Sequence, residues 1–188
     1  MFSDVLSQPL ESAFSPDGKL IYLTDMRNSR IQVLEAMTLK PVGRFGAGEL
    51  SYPHDAEFDQ AGRLLVADTG NDRVAIYEIK GAEARLVGEL KGLAGPEGVA
   101  VTPDGRVLVT NTRNATLSVF RDGKLVQTAG GPGSRDGELR NPHDVEVASD
   151  GTVYVVDSAN NRVQIFDTAL QHRASFGAAL GLSGPKYL

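Results

Sequence analysis

The sequence predicts an all-β protein made of four copies of one small antiparallel sheet, and three observations carry that prediction. The first is repetition. Pro53-His54-Asp55-Ala56-Glu57-Phe58, Gly62-Arg63-Leu64-Leu65-Val66-Ala67-Asp68 and Asn71-Asp72-Arg73-Val74 align without a gap on Pro142-His143-Asp144-Val145-Glu146-Val147, Gly151-Thr152-Val153-Tyr154-Val155-Val156-Asp157 and Asn160-Asn161-Arg162-Val163. Further copies open at Pro9 and Pro96, and Pro185-Lys186-Tyr187-Leu188 begins a fifth, so the opening prolines recur every 43 to 46 residues. That period belongs to propeller blades rather than to helical solenoids. The second observation is a period of two inside each copy: Val99 and Val101, Val107 and Val109, and Leu117 and Val119 alternate with smaller or polar residues, as in half-buried strands. The third is turn chemistry at fixed offsets, described next.

Each repeat reads in the same order. A first strand follows the opening proline and ends at a glycine-bearing turn, Pro16-Asp17-Gly18, Gln60-Ala61-Gly62, Pro103-Asp104-Gly105 or Ser149-Asp150-Gly151, where glycine adopts positive φ without steric cost. A second strand runs to an Asp or Asn, and a second turn leads into a third strand. A less regular fourth strand follows, exemplified by Arg85 to Leu90 and Arg173 to Phe176. Repeat 1 has one more residue between Gly18 and Asp25 than repeats 2 and 4 have at that place, which predicts a bulge in its second strand. The blades are expected at about 8–51, 52–95, 96–141 and 142–184, with 185–188 starting a fifth, all within one segment 1–188. A four-stranded sheet of this size cannot bury both faces alone, so such sheets stack, and radial stacking gives a β-propeller.

The second turn is the most distinctive stretch: Asp25-Met26-Arg27-Asn28-Ser29-Arg30, Asp68-Thr69-Gly70-Asn71-Asp72-Arg73, Asn111-Thr112-Arg113-Asn114-Ala115-Thr116 and Asp157-Ser158-Ala159-Asn160-Asn161-Arg162. The acidic or amide side chain is expected to bond backbone N–H groups across the turn, the central Asn to take the left-handed conformation, and the Arg to lie against the next blade and meet the carboxylate. Recurrence of the same residues in successive repeats assigns them to the scaffold rather than to catalysis.

Composition narrows the function classes. With 19 Lys and Arg against 24 Asp and Glu, a formal charge of −5 and no block of one sign, the chain has no basic face for nucleic acid. No apolar run reaches the length of a membrane span. Met1-Phe2-Ser3-Asp4 lacks the charged and apolar regions of a signal peptide, so the chain as given reads as cytoplasmic, with an extracytoplasmic place open if it is a fragment. The absence of cysteine excludes disulfides and thiolate metal sites.

The pattern Pro-x-Gly/His/Asp, Gly-x-Val-x-Val-x-Asp and Asn-x-Arg-Ile/Val resembles the NHL repeat over nearly the whole chain. The resemblance implies a β-propeller of four-stranded antiparallel blades, usually six in a ring. Four blades and an interrupted fifth then imply a piece of a longer propeller, or two chains completing one another as a homo-oligomer. The prefix Phe2 to Leu6 is expected as an outer strand of a missing blade.

Two of the three histidines, His54 and His143, directly follow opening prolines, where first strands start nearest the axis; the other repeats have Leu10, Glu97 and Lys186 there. Histidines on alternate blades, with Glu97 between them, form a candidate site for zinc or another divalent metal, His54, His143 and Glu97 being the candidate ligands. This arrangement is similar to that of peptidyl-α-hydroxyglycine α-amidating lyases, propellers of the same blade type that hold zinc through channel histidines. Those lyases have an arginine directly after the strand-end aspartate and a tyrosine in a matching turn, whereas this chain has Thr69 and Ser158 and no turn tyrosine. Asp55 and Asp144 point to the opposite face by strand alternation and are expected to bond backbone. His172 falls in the variable fourth strand and reads as exposed. The run Gly130-Gly131-Pro132-Gly133-Ser134-Arg135-Asp136-Gly137 lacks the Gly-Lys-Ser/Thr ending of a phosphate loop and reads as an inter-blade connector, like Gly46-Ala47-Gly48-Glu49.

The resulting expectation is a binding or interaction scaffold whose protein or small-molecule ligand sits at the channel mouth or on the loop face. The alternative is a metal-dependent lyase or lactone-type hydrolase with the metal on the axis. The blade type does not choose between them, because one fold hosts many functions.

Overall fold

The structure, a computed structural model, describes residues 5–177 and 180–188. The chain divides into two compact units, Met1–Lys91 and Gly92–Leu188. Unit 1 holds a first sheet of β1 (Pro9–Phe14), β2 (Leu20–Asp25), β3 (Arg30–Glu35) and β4 (Pro41–Phe45), and a second of β5 (Pro53–Phe58), β6 (Arg63–Asp68), β7 (Arg73–Lys80) and β8 (Glu83–Leu90). Unit 2 holds β9 (Pro96–Val101), β10 (Val107–Asn111), β11 (Thr116–Arg121) and β12 (Lys124–Gly130), then β13 (Pro142–Val147), β14 (Val153–Asp157), β15 (Arg162–Phe166) and β16 (His172–Phe176). In every sheet the strands lie in chain order and pair antiparallel, so these are four propeller blades of the predicted kind. Single 3-10 turns at Met26–Asn28, Thr69–Asn71 and Ser158–Asn160 follow the second strands of blades 1, 2 and 4.

Stacking of blades within each unit makes the core. In unit 1, Tyr22, Ile31 and Val33 of the first blade close on Ala56, Leu64, Val66, Ala75 and Tyr77 of the second. In unit 2, Leu108, Leu117 and Val119 close on Val145, Val153, Val155 and Phe166. Each fully buried side chain of this size contributes about 1.5–3 kcal/mol. These are the inward positions of the period-two alternation. Tyr22 adds a polar tie, its hydroxyl donating to the Gly81 carbonyl of the next blade at 2.6 Å.

The Asp turns form a buried knot that is the same in three blades. Asp25, Asp68 and Asp157 are fully buried. In each, Oδ1 accepts the backbone N–H of the residue two before the opening proline: Ser7 at 2.7 Å, Ser51 at 2.7 Å and Arg140 at 2.6 Å. Oδ2 accepts from Asn28, Asn71 or Asn160 at 2.8 Å. It also accepts the Nε–H of Arg30, Arg73 or Arg162 at 2.7 Å. The guanidinium ends of Arg73 and Arg162 donate onward to connector carbonyls, those of Glu49 and of Arg135 and Glu138. Each aspartate thus ties the entry of its blade to the third strand of the same blade.

Several expectations change in detail. The carboxylate reaches the incoming connector rather than its own turn, because the connector N–H would otherwise be buried unpaired. The Arg stays with its own blade rather than crossing to the next. The left-handed residue is the one after the central Asn: Ser29, Asp72, Ala115 and Asn161, with φ between 49° and 57°. The extra residue of repeat 1 sits in the turn and not in a strand. Ser15 N–H bonds Leu20 O across a turn one residue longer than that from Asp59 to Arg63, while β2 pairs with β3 in unbroken register. The register slips instead at the first strand, between Pro9 and Ser12, Pro53 and Ala56, and Pro142 and Val145. The fourth strands start slightly earlier than expected, at Glu83 and His172. Of the prefix 2–6, Val5 and Leu6 lie in no strand, and Phe2–Asp4 fall outside the described residues.

Candidate functional site

The opening prolines bring the chemically distinctive side chains to one end of the first strands. In unit 2, β9 lies beside β13. Gly98 allows the approach: a Cβ there would stand 2.8 Å from the Asp144 Cα and 2.9 Å from the Val145 nitrogen, closer than backbone atoms permit. The Thr110 hydroxyl bridges the two strands, accepting the Gly98 N–H at 2.8 Å and donating to the His143 carbonyl at 3.1 Å. Blade 3 therefore fixes the backbone of His143, and it fixes the ring as well. His143 Nδ1 meets Glu97 Oε2 at 2.5 Å, with side chains only 12% and 15% exposed. Both atoms are sealed from solvent, and their close approach lacks the direction of an ideal hydrogen bond, so it acts as an ion-pair contact when the ring is protonated. The Tyr187 ring stands edge-on to the imidazole, centroids 6.4 Å apart.

Asp144 is buried beneath this pair. Its Oδ1 accepts from Val145 N–H at 2.8 Å and its Oδ2 from Leu188 N–H at 2.9 Å, a backbone role as expected. Burial raises its pKa above the ordinary carboxylate value, while those two N–H bonds and the nearby His143 pull it back. Glu146, accessible to solvent yet crowded by protein, is also raised, first by desolvation and then by the Asp144 charge.

In unit 1 the equivalent histidine is held differently. Thr24 bridges as Thr110 does, its hydroxyl accepting the Glu11 N–H at 3.0 Å and donating to the His54 carbonyl at 2.9 Å. Repeat 1 has Leu10 where repeat 3 has Glu97, so the ring finds no carboxylate on the preceding blade. His54 Nδ1 turns to its own blade, 2.9 Å from the Thr69 hydroxyl and 3.0 Å from the Tyr52 carbonyl.

Of the predicted ligands, the structure brings Glu97 and His143 together in unit 2, with Glu97 turned on the ring nitrogen and not beside it as a parallel ligand. Among the described residues no group of three or more His, Asp or Glu side chains is placed to hold a metal ion. His172 is not the exposed residue expected: it packs edge-on against Phe166, centroids 5.8 Å apart, and its Nε2 lies 2.8 Å from the Ser175 hydroxyl. In the connector, Arg135 pairs with Glu138 and Asp136 lies 3.7 Å from Arg162. Thr24 and Thr110 carry a sequence signal, since Thr precedes the strand-end Asp or Asn in repeats 1 and 3 where repeats 2 and 4 have Ala67 and Val156, whereas Gly98 carries none. Two clefts lie at the other end of the first strands, by the hairpin turns. One, of about 300 Å³, is lined by Asp17, Tyr22 and Phe58, and one, of about 240 Å³, by Thr102, Arg106 and Asp150.

Blades of this order and knot define a protein of the β-propeller class. The NHL repeat pattern matches residues 93–120 and 139–166, and the chain belongs to the NHL-repeat β-propeller family. NHL repeat-containing protein 3 of Homo sapiens is 30% identical over 152 residues, 71% of this chain and 40% of that protein. Protein SUPPRESSOR OF QUENCHING 1, chloroplastic, of Arabidopsis thaliana is 31% identical over 149 residues, 72% of this chain and 13% of that one. The chain thus spans less than half the length of either relative. Among solved structures, a catalytically inactive virginiamycin B lyase from Staphylococcus aureus with quinupristin superimposes with a TM-score of 0.77 at 14% identity, covering 100% of this chain and 61% of that one. At that identity the likeness is one of fold.

Proposed function

We propose that the chain is a binding scaffold whose ligand is received at the opening-proline end of the first strands, in unit 2 around His143. The observation that supports this most is the division of labour on the ring. Blade 3 engages Nδ1 through Glu97 and the backbone through Thr110, which leaves Nε2 as the group available to a ligand. A ring so oriented donates or accepts one directed hydrogen bond without losing rotamer freedom on binding, which lowers the entropic cost of recognition. The repeated Asp knots are taken up by the fold and leave no spare group for a ligand. Chemical-shift mapping with a panel of small organic acids and amines tests the reading. Saturable shifts should cluster at residues 97, 143, 144 and 187 and disappear in His143→Gln. Shifts that map elsewhere, or survive that substitution, oppose it.

A zinc-dependent lyase or hydrolase is the second reading, favoured by one feature. Both His54 and His143 are anchored through Nδ1, the usual way a protein orients a metal-binding imidazole for coordination through Nε2. Among the described residues neither unit by itself supplies the three protein ligands of a catalytic zinc site, and Glu97 is committed to His143. Calorimetry with zinc on the unaltered chain and on His143→Ala separates the readings: indistinguishable traces remove the metal, and a saturating heat lost with His143 supports it.

A further inference from the structure

The two hairpin-end clefts occupy the same place in their units but differ in chemistry. Ser15-Pro16-Asp17-Gly18 of blade 1 corresponds to Thr102-Pro103-Asp104-Gly105 of blade 3. Across the turn, Ser15 N–H bonds the Leu20 carbonyl as Thr102 N–H bonds that of Arg106, so Leu20 and Arg106 stand at one position. On the next blade of each unit, Ile79 and Thr168 stand at the same offset from Arg73 and Arg162. The unit 2 cleft is therefore polar and carries its own cations. Arg106 Nε lies 3.0 Å from Asp104 Oδ1, and Arg121 closes on Oδ2 at 2.6 Å.

In unit 1 the walls are apolar. Leu20, Phe58 and Ile79 pack on the core yet stay partly uncovered, and they line a cleft of about 300 Å³ together with Tyr22, whose ring stands edge-on to Phe58 with centroids 5.2 Å apart. Among the described residues that line it, Asp17 alone carries a charge. Hydrogen bonds from the Ser15 hydroxyl at 2.7 Å and the Lys19 N–H at 3.1 Å lower its pKa to about 2, so it is ionised at neutral pH. Lys19, which is not part of the lining, meets Asp17 Oδ2 at 3.2 Å with its side chain 79% exposed, and a pair so exposed yields readily to a competing cation. The polar side chains of the cleft and the Gly81 carbonyl already have protein partners. The Ser15 hydroxyl also accepts from the Lys19 and Leu20 N–H groups, and the Gly81 carbonyl accepts from the Tyr22 hydroxyl. The cleft thus offers negative charge and apolar surface rather than directed hydrogen bonds. A ligand bearing N–H donors would give up water there for little return. A quaternary ammonium, its charge spread over apolar carbons, gives up less and is attracted by an aromatic wall.

We propose that the unit 1 cleft binds a small quaternary ammonium compound, with its apolar substituent between Leu20, Phe58 and Ile79 and its cation at Asp17. Mostly apolar walls with one placed polar group are the usual makeup of a small-molecule site. The equivalent cleft of unit 2 excludes the same ligand, because Arg106 stands where Leu20 does and Asp104 is already neutralised. The site is separate from the His143 end and stands or falls without it.

The test uses the full chain and benzyltrimethylammonium as probe. Amide shifts should saturate at residues 15–20, 58 and 79–81. Asp17→Asn should weaken binding by about fivefold, and by less in high salt, as for a partly exposed pair of charges. Leu20→Arg, which copies Arg106, should abolish binding by placing a cation beside Asp17. Benzyl alcohol lacks the charge and benzylamine adds N–H donors, so both should bind the cleft more weakly than the probe. Asp17 is exposed, and unchanged spectra away from the cleft establish that Asp17→Asn folds, so the decision does not depend on the Leu20 variant. Absence of saturable shifts at millimolar probe, or shifts at 102–106 and 149–151 instead, overturns the proposal. So does an affinity indifferent to Asp17→Asn, or equal binding of benzyl alcohol or benzylamine.

Discussion

Replacing Asp157 with alanine tests the scaffold assignment at its most buried point. The Asp157 carboxylate accepts from Arg140 N–H, Asn160 Nδ2, Arg162 Nε and Gln164 Nε2 at 2.6, 2.8, 2.7 and 3.1 Å, and is itself inaccessible to solvent. Its removal takes the acceptor from the Arg140 N–H and the Arg162 Nε–H, while Asn160 and Gln164 keep second acceptors at the Gly133 and Glu138 carbonyls. The Arg162 guanidinium belongs to a side chain only 14% exposed. Stranding one partner of a buried ion pair costs about 3–5 kcal/mol. For a chain of this length each kcal/mol lowers the melting temperature by about 2–4 °C, so the substitution should lower it by roughly 6–20 °C. Blade 3 supplies the control. There Asn111 replaces the aspartate and Thr116 the arginine. Asn111 accepts one backbone N–H, from Ala94, and donates to Ser118. With no charge to strand, Asn111→Ala should cost about 1–3 kcal/mol. Differential scanning calorimetry on both variants checks the order. An Asp157→Ala protein that melts with the unaltered chain, or a smaller loss than Asn111→Ala, refutes the reasoning, most directly if ligand binding is lost while stability is not.

The remaining predictions concern the unit 2 site. Gly98→Ala drives a methyl into the Asp144 backbone, where no flexible side chain can yield, and should destabilise by about 1–3 kcal/mol in chemical denaturation; an unchanged midpoint would mean that β9 and β13 are farther apart than described. Asp144 has a folded pKa raised by burial, so protonation favours the folded state. Its contribution grows as pH falls through the folded pKa and is complete below the unfolded value of about 3.9. Relative to Asp144→Asn, the unaltered chain should therefore gain stability on acidification from neutral pH toward 4, and a stability difference flat across that interval contradicts the burial account.

The sequence-to-structure relation is uneven for a physical reason. Strand order, blade spacing and the inward positions Ile31, Leu64, Leu108 and Val155 follow from a period of two and from turn residues, which act locally and repeat four times. Partners across distance were harder to read. Recurrence marks the Asp turns as scaffold, but their acceptor geometry depends on a connector whose N–H groups must be satisfied, and no periodicity encodes that. At the candidate site the paired positions of His54 and His143 were visible, whereas their different settings were not. Leu10 against Glu97 decides whether the ring turns to its own blade or to the preceding one, and the two residues become neighbours of the histidines only once the blades stack. Gly98 shows the same limit, since its need for hydrogen in place of a side chain comes from Asp144, 46 residues further along the chain.

The central claim is that His143 is held by Glu97 through Nδ1 and offers Nε2 at the end of unit 2. Long-range ¹⁵N–¹H correlation of the imidazole rings, on the unaltered chain and on Glu97→Gln, measures it directly. The account predicts a strong change in the His143 Nδ1 shift on that substitution, with His54, which has no carboxylate on its ring, unchanged. A His143 Nδ1 signal indifferent to the loss of the Glu97 charge would contradict it.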